Sequence, residues 1–430
     1  MLYSETLTYN IISLGCYKNQ SDSEFLNGAM AAAGFKNSDD ADSADIIIIN
    51  TCGFIEDAKK ESISVIFDTL SIKEENSAAM VVVLGCLTQR YLTNIADEIP
   101  EIDFIYGIFD EKFIPEFCGK FSIQINNKAA YTKEPLLKNV PYEYLKIADG
   151  CSNNCSYCAI PIIRGQLVCY PPNEIIKLAN EAAARNVKEL IIIAQDIAAY
   201  NYDGTDLSDI LKMIELVDGP EWIRLLYCHP DKIDDRLITT IKESKKILHY
   251  IDIPFQHISE RILRSMNRKG NYEKYLGLIQ KLRKEIPDIS IRSTFMVGYP
   301  DETVEEFDEL LKFIEEASLD KAGCFMYSDE EGTPIFGKGN IDNETKVDRH
   351  TMVMQLQQEI SAERLSNLVG KSVRVLIESM PEEGVYLGHS EYDAPEIDGI
   401  FCLTSKRDCM NNIVTVKVIE TTEYDMAGEL

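Results

Sequence analysis

The chain of 430 residues predicts an α/β protein in three parts. These are an open parallel α/β sheet domain over 1–130, a partial (β/α)6 barrel over 140–345 and a small antiparallel β-barrel over 369–430. A connector helix over 346–368 precedes the last. Three observations predict this. Apolar runs such as Ile46–Asn50 and Val81–Gly85 are continuous rather than alternating, as in strands covered on both faces of a parallel sheet. Six strand-then-helix units follow over 140–345, short of the eight of a closed barrel. From Lys371 onward short alternating strands are separated by turn residues, the pattern of a small all-β module.

In the first part, Ile11–Gly15 reads as a strand and Ser21–Ala33 as a helix stopped by Gly34. Ile46–Asn50 is the next strand, Ala58–Leu70 a helix and Val81–Gly85 a third strand. The three strands run into Cys16, Cys52 and Cys86. Ligands collect beyond the carboxyl ends of parallel strands, so the three thiols can converge on one metal cluster. The alternative is three unconnected buried cysteines acting as small hydrophobes. Cys118 fits no such pattern and reads as structural. Residues 120–145 read as a linker with a strand or two.

The second part begins with the strand Tyr144–Ile147, which delivers K-I-A-D-G-C-S-N-N-C-S-Y-C-A-I-P-I-I-R-G (146–165). Cys151, Cys155 and Cys158 stand in C-x3-C-x2-C spacing. Three thiolates on one short loop can hold three corners of an iron–sulfur cluster and leave one iron open for a ligand. A zinc site would add a fourth Cys or His nearby, and this loop has none; a redox dithiol needs only two cysteines. The helix Pro172–Arg185, the strand Glu189–Ala194 and the helix Leu207–Val217 follow. Four more strands run over 222–227, 247–254, 289–298 and 321–327. Barrel chemistry gathers at the carboxyl ends of strands. There the sequence places Gln195, Asp196, His229, Gln256, His257, Gly298 and Ser328, each equally able to be an ordinary hydrogen-bonding loop residue.

Charge narrows the partners. With 71 acidic and 43 basic side chains the net charge is −28, which repels a phosphate backbone and suits a basic partner. Acidic surface that merely confers solubility fits as well. The segment from Lys371 has five basic and twelve acidic residues, net −7, and lacks the basic aromatic face that binds single strands. No stable nucleic-acid partner is expected. Twelve cysteines and a start without a basic, apolar leader point to a reducing cytoplasm. No run approaches ~18 apolar residues, so no membrane span is expected.

The loop of Cys151, Cys155, Tyr157 and Cys158 resembles the radical S-adenosylmethionine (SAM) enzymes. S-L-G-C-Y-K-N-Q-S-D-S-E (13–24), N-T-C-G-F-I-E-D-A-K-K-E-S-I (50–63) and G-C-L-T-Q-R-Y (85–91) resemble the N-terminal domain of the methylthiotransferases within that superfamily. P-F-Q-H-I-S-E-R-I-L-R-S-M-N-R (254–268) and R-S-T-F-M-V-G-Y-P-D-E-T (292–303) resemble their radical SAM barrel, and the tail ending in Y-D-M-A-G-E-L (424–430) their TRAM domain. The resemblance implies two [4Fe–4S] clusters. One sits on Cys151, Cys155 and Cys158 and holds SAM; the other sits on Cys16, Cys52 and Cys86 and carries the sulfur to be inserted. It further implies that SAM serves twice, as methyl donor and as radical source, with both clusters reaching one reactant where the two domains join.

Tyr157, Gln195, Asp196, Gln256 and Arg292 are candidate SAM contacts, and Gly298 would let the backbone approach the adenine. No catalytic residue beyond the cluster ligands is expected. Q-D-I-A-A-Y (195–200), G-C-F-M-Y-S-D-E-E-G-T (323–333) and D-A-P-E-I-D-G (393–399) resemble the branch that modifies the β-carbon of an aspartate in small-subunit ribosomal protein S-twelve. Ile197 departs from that branch, where Thr is common. An electron donor such as flavodoxin or ferredoxin is implied. The other branch methylthiolates adenosine in tRNA, and a metal-stabilised binding module is the non-enzymatic alternative.

Overall fold

The computed structural model describes residues 7–75, 79–125, 132–136 and 139–430. The chain divides into two compact units. One comprises Met1–Lys138 with Ala159–Gln166, the other Asn139–Cys158 with Leu167–Leu430.

In the first unit, β1 (Thr8–Ser13), α1 (Tyr17–Ala33), β2 (Lys36–Asn37), β3 (Ile46–Thr51), α2 (Glu56–Glu75), β4 (Met80–Gly85), α3 (Cys86–Glu98), β5 (Phe104–Ile105) and α4 (Phe113–Phe121) follow in order. The sheet runs β2-β1-β3-β4-β5, and every pairing is parallel. Every residue of β3 and β4 is buried, as continuous apolar runs require. Helix α1 starts at Tyr17, four residues ahead of expectation, directly behind Cys16. It stops at Gly34, whose φ of 101° is the left-handed C-cap that glycine supplies. Helix α5 (Ile160–Arg164) belongs to this unit, where Ala159 and Ile163 pack on Cys86 and Ile108. Of the linker expected over 120–145, residues 126–131 and 137–138 lie outside the described residues, and the strand described there is β6 (Tyr142–Lys146).

The second unit holds the incomplete barrel. Its six strands are β6, β9 (Glu189–Ile193), β12 (Trp222–Leu225), β13 (Ile247–Gln256), β14 (Ser290–Val297) and β15 (Lys321–Met326). They lie in the order β15-β14-β13-β12-β9-β6 with all pairings parallel. Two short antiparallel pairs decorate it, β7 (Ala148–Asp149) with β8 (Val168–Cys169) and β10 (Asn201–Tyr202) with β11 (Thr205–Asp206). The outer helices are α6 (Pro172–Ala184), α7 (Leu207–Glu215), α8 (Asp235–Glu243), α9 (Glu260–Ser265), α10 (Tyr272–Glu285) and α11 (Val304–Ala317).

The expected connector is α12 (Asn343–Ser366), and it does more than connect. Val353 and Ile360 join the barrel's apolar core, and Gln357 donates to Leu319 O at 3.0 Å. The C-terminal module is a closed barrel of β16 (Ser372–Glu382), β17 (Val385–Ser390), β18 (Phe401–Thr404), β19 (Ile413–Thr421) and β20 (Met426–Glu429). It is not wholly antiparallel as expected: β18 and β20 pair parallel. That pair is what closes the ring and removes the edge.

The segment Ser390–Asp398, after β17, lies against the amino-terminal half of the six-stranded sheet. Arg224, fully buried, donates to Glu189 Oε1 at 2.6 Å and to the carbonyls of Ser390 and Glu391 at 3.2 Å. His389 bridges Glu189 and Glu378. Asp398 accepts from Tyr250 Oη at 2.7 Å, Glu396 accepts from Tyr142 Oη at 2.9 Å, and Asp393 pairs with Lys321. The D-A-P-E-I-D-G stretch is therefore the joint between the small barrel and the large one.

Candidate active site: two cysteine triads and a strained strand mouth

In the N-terminal unit the strand ends bring Cys16, Cys52 and Cys86 together. Cys16 caps α1, Cys52 follows β3 and Cys86 opens α3. Asn19 Nδ2 staples the strand ends, donating to Leu14 O at 2.7 Å and to Asn50 O and Thr51 O at 3.2 Å. Gly15 has φ 88°, and a Cβ there would lie 2.6 Å from Cys52 Cβ and 2.8 Å from its Sγ. Only glycine lets the Cys16 loop lie this close to Cys52. Cys86 feels the charge of both other thiols. Burial pushes the Cys52 thiol up and the Cys86 thiol up to about 12. These thiols stay protonated until a metal takes the proton's place.

In the second unit Cys151, Cys155 and Cys158 are half-buried on the loop behind β7. Cys158 N donates to Cys155 O at 3.1 Å, and Tyr157 lies within electrostatic reach of Cys155 and Cys158. Burial, with Asp196 and Cys155 adding negative charge, raises the Cys151 thiol. Among the described residues no three Cys, His, Asp or Glu side chains close on a single ion. A cubane asks for something wider, because each thiolate binds a different iron. Soft sulfur donors in threes, with no carboxylate or imidazole among them, fit that group in both places.

The mouth beside this loop is built from strand ends. Gln195 Nε2 donates to Asp149 Oδ1 at 3.0 Å, while its buried Oε1 has no hydrogen-bond partner among the described residues. Asp196 accepts from Lys232 Nζ and Asn153 Nδ2, both at 2.8 Å, and from His229 N at 3.2 Å. Tyr227 (φ 65°) follows β12, Gln256 (φ 70°) ends β13 and Gly298 (φ 71°) follows β14. Two non-glycine residues in left-handed backbone at adjacent strand ends are a mark of a working site. A bulge between Ile253 and Gln256 precedes the second of them. Gly298 N is held by Glu302 Oε2 at 2.6 Å, and Glu302 also accepts from His257 Nε2 at 3.1 Å.

Two histidines, one serine and one arginine separate from this group. His257 is fully buried on Glu302 and is a structural residue. Burial and the Arg268 charge push His229 down to about 4, so its imidazole is neutral. Ser328 is turned to Glu330 at 2.7 Å. Arg292 is the correction: it sits at the third residue of β14, bonded to Asp252 and Asp398 at 3.3 Å, and not at the strand's carboxyl end. Five further residues of strand, about 16 Å, separate it from Val297. Two arginines went unassigned although both lie in stretches already singled out. Arg268 reaches Pro254 O at 2.6 Å and Cys155 Sγ at 3.9 Å; Arg164 reaches Cys86 Sγ at 3.4 Å. No local spacing marks either contact, since Arg268 lies 113 residues from Cys155 and Arg164 78 residues from Cys86.

Comparison with known proteins agrees with this architecture. Residues 145–314 match the radical SAM superfamily, residues 8–107 the uncharacterized protein family UPF0004 and residues 369–430 the TRAM domain. The chain is 40% identical over 434 residues to the ribosomal protein uS12 methylthiotransferase RimO of Caldicellulosiruptor saccharolyticus, covering 97% of this chain and 98% of that one. The chain belongs to the RimO family of methylthiotransferases. The RimO of Desulforamulus reducens is 41% identical over 440 residues, 98% of each chain. Among solved structures, the radical SAM methyltransferase TsrM of Kitasatospora setae has a TM-score of 0.57 at 13% identity, covering 88% of this chain and 79% of that one; it shares the fold. As a radical SAM member of the RimO family, the chain is a transferase that takes S-adenosylmethionine and a [4Fe–4S] cluster. Among the described residues no helix is long and apolar enough to cross a membrane.

Proposed function

We propose that this chain adds a methylthio group to the β-carbon of an aspartate in ribosomal protein uS12. The cluster for SAM would sit on Cys151, Cys155 and Cys158, and a second [4Fe–4S] cluster on Cys16, Cys52 and Cys86. The observation that carries this is the pairing of two three-thiol sets, each at carboxyl ends of a parallel sheet, in a chain 40% identical to a uS12-modifying enzyme. An aspartate β-carbon has no acidic hydrogen for a side-chain base to remove. When bound, SAM and its cluster supply the one-electron chemistry that such a C–H bond needs.

The chain's own residues supply placement. Gln195, with its unpartnered buried Oε1, offers an acceptor to a bound SAM. Asp196 holds Asn153 and so fixes the cluster loop, and Gln256 and the Gly298 backbone line the mouth. Tyr157 stays protonated, because burial raises it well above its ordinary value. An acidic chain of net −28 suits a cationic ribosomal protein, since opposite fields steer encounter. The electron would come from a flavodoxin- or ferredoxin-type donor, and action on a ribosomal protein places the enzyme in the cytoplasm. The test is mass spectrometry of uS12 and of tRNA from a strain lacking the gene. Loss of the methylthio mass from uS12 is the expected result; loss from tRNA alone would overturn it.

A further inference from the structure

Arg164 closes α5, six positions beyond Cys158, yet its guanidinium lies inside the N-terminal unit. One nitrogen, Nη2, faces three acceptors: Asp22 Oδ2 at 2.8 Å, Asn19 Oδ1 at 3.3 Å and Cys86 Sγ at 3.4 Å. The side chain of Arg164 is 3% exposed and that of Asp22 7%. A buried ion pair is an expensive way to anchor a five-residue helix that already packs through Ala159 and Ile163. What distinguishes this pair is where it points. Its guanidinium abuts a sulfur, and the Asp22 carboxylate, carried on α1, shares the same nitrogen. Hydrogen bonds and charge at cluster sulfurs are among the levers that set an iron–sulfur potential.

We infer that Arg164 is a positioning residue for the N-terminal cluster, aiming a charged N–H at the Cys86 sulfur, with Asp22 setting how much of that charge the cluster feels. This rests on the second cluster proposed above. It makes opposite predictions for the two partners, which a merely structural ion pair does not. The experiment uses the full chain with Cys151, Cys155 and Cys158 all changed to Ala, so that iron can reside only on Cys16, Cys52 and Cys86. The cluster is reconstituted anaerobically and its potential titrated by electron paramagnetic resonance.

Arg164→Gln removes the donor and leaves a buried carboxylate. The potential should fall by a tenfold change in the one-electron equilibrium, about 59 mV. Asp22→Asn removes the Asp22 carboxylate charge from beside the guanidinium, and the potential should rise. If Arg164→Gln fails to hold iron, Arg164→Lys decides: it keeps the charge without the fork and should give a smaller fall. Should Lys fail as well, the rise in Asp22→Asn stands alone as the test. Potentials that stay put, or that move the same way in both variants, overturn the role of Arg164 and leave the cluster untouched. A triple-Ala chain that takes up no iron overturns the second cluster, and this inference with it.

Discussion

The two ends of the six-stranded barrel use charge and backbone in opposite ways. At the amino-terminal half, Glu189, Arg224, Asp252, His389 and Asp393 are almost wholly buried, Arg292, Lys321 and Asp398 are partly buried, and each has a partner of opposite charge. At the carboxyl end Gln195 Oε1 and Arg268 Nε are buried with no hydrogen-bond partner among the described residues, and two non-glycine residues sit in left-handed backbone. One end ties its charges into pairs and the other holds polar groups in reserve. A barrel that does chemistry only at its carboxyl face is free to spend the opposite face on stability. Here that face is the seat of the C-terminal module.

Breaking the carboxyl end should abolish function and leave the fold standing. Cys155→Ala removes one corner of the loop triad. Iron per anaerobically prepared chain should drop from about eight to about four, methylthiolation should fall to background, and the melting temperature of the iron-free chain should change little. Breaking the amino-terminal half should do the reverse. Arg224→Met leaves Glu189 buried against a single cation, and loss of one partner of a buried pair costs about 3–5 kcal/mol. Denaturant unfolding should show it, while folded protein keeps its iron content.

The same half should also be sensitive to alkali. Burial opposes a charge on His389, but the Glu189 and Glu378 carboxylates outweigh it and push the imidazole up to about 9 from an ordinary 6.5. A raised histidine contributes stability that is complete below pH 6.5 and is lost as pH climbs through 9. Stability of the joint should therefore fall over that window, and His389→Gln should flatten the fall. A wild-type chain with level stability from pH 6.5 to 9 would show that the His389 charge contributes nothing.

This contrast also explains what could be read from the sequence. Continuous apolar runs place strands and give their parallel sense, because burial on both faces leaves a one-dimensional mark. Cysteine spacing singles out Cys151, Cys155 and Cys158, because three thiols on one loop are local. Cys16, Cys52 and Cys86 are legible only through topology, since equivalent strand ends meet in space and not in sequence. The expected strand over 289–298 already puts Arg292 near its start, and its reading as a SAM contact fails because a charge on a strand does not reveal which partner it meets. In the TRAM module alternation marks strands over 373–378, 399–403 and 413–420 but not β17 and β20, where Gly388 and Gly428 interrupt it. The docking role of Asp393, Glu396 and Asp398 left no local mark at all, because their partners lie more than 70 residues away on other strands.

The smallest effect expected is also the sharpest comparison. Gln256 holds φ 70° behind a bulge, a conformation that costs a non-glycine residue about 1–2 kcal/mol. Gln256→Gly should relieve that strain, and the gain survives only in part because glycine loses more chain entropy on folding. A net stabilisation of about 0.5–1 kcal/mol is expected in denaturant unfolding. If the side chain contacts SAM as proposed, the same substitution should raise KM for SAM. At the amino-terminal half every substitution that weakens the chain weakens the fold first; here the chain becomes sturdier as it becomes a poorer enzyme. A destabilised Gln256→Gly chain with unchanged KM would mean that Gln256 is held at this strand end for packing, and that the strain at the mouth is not spent on the cofactor.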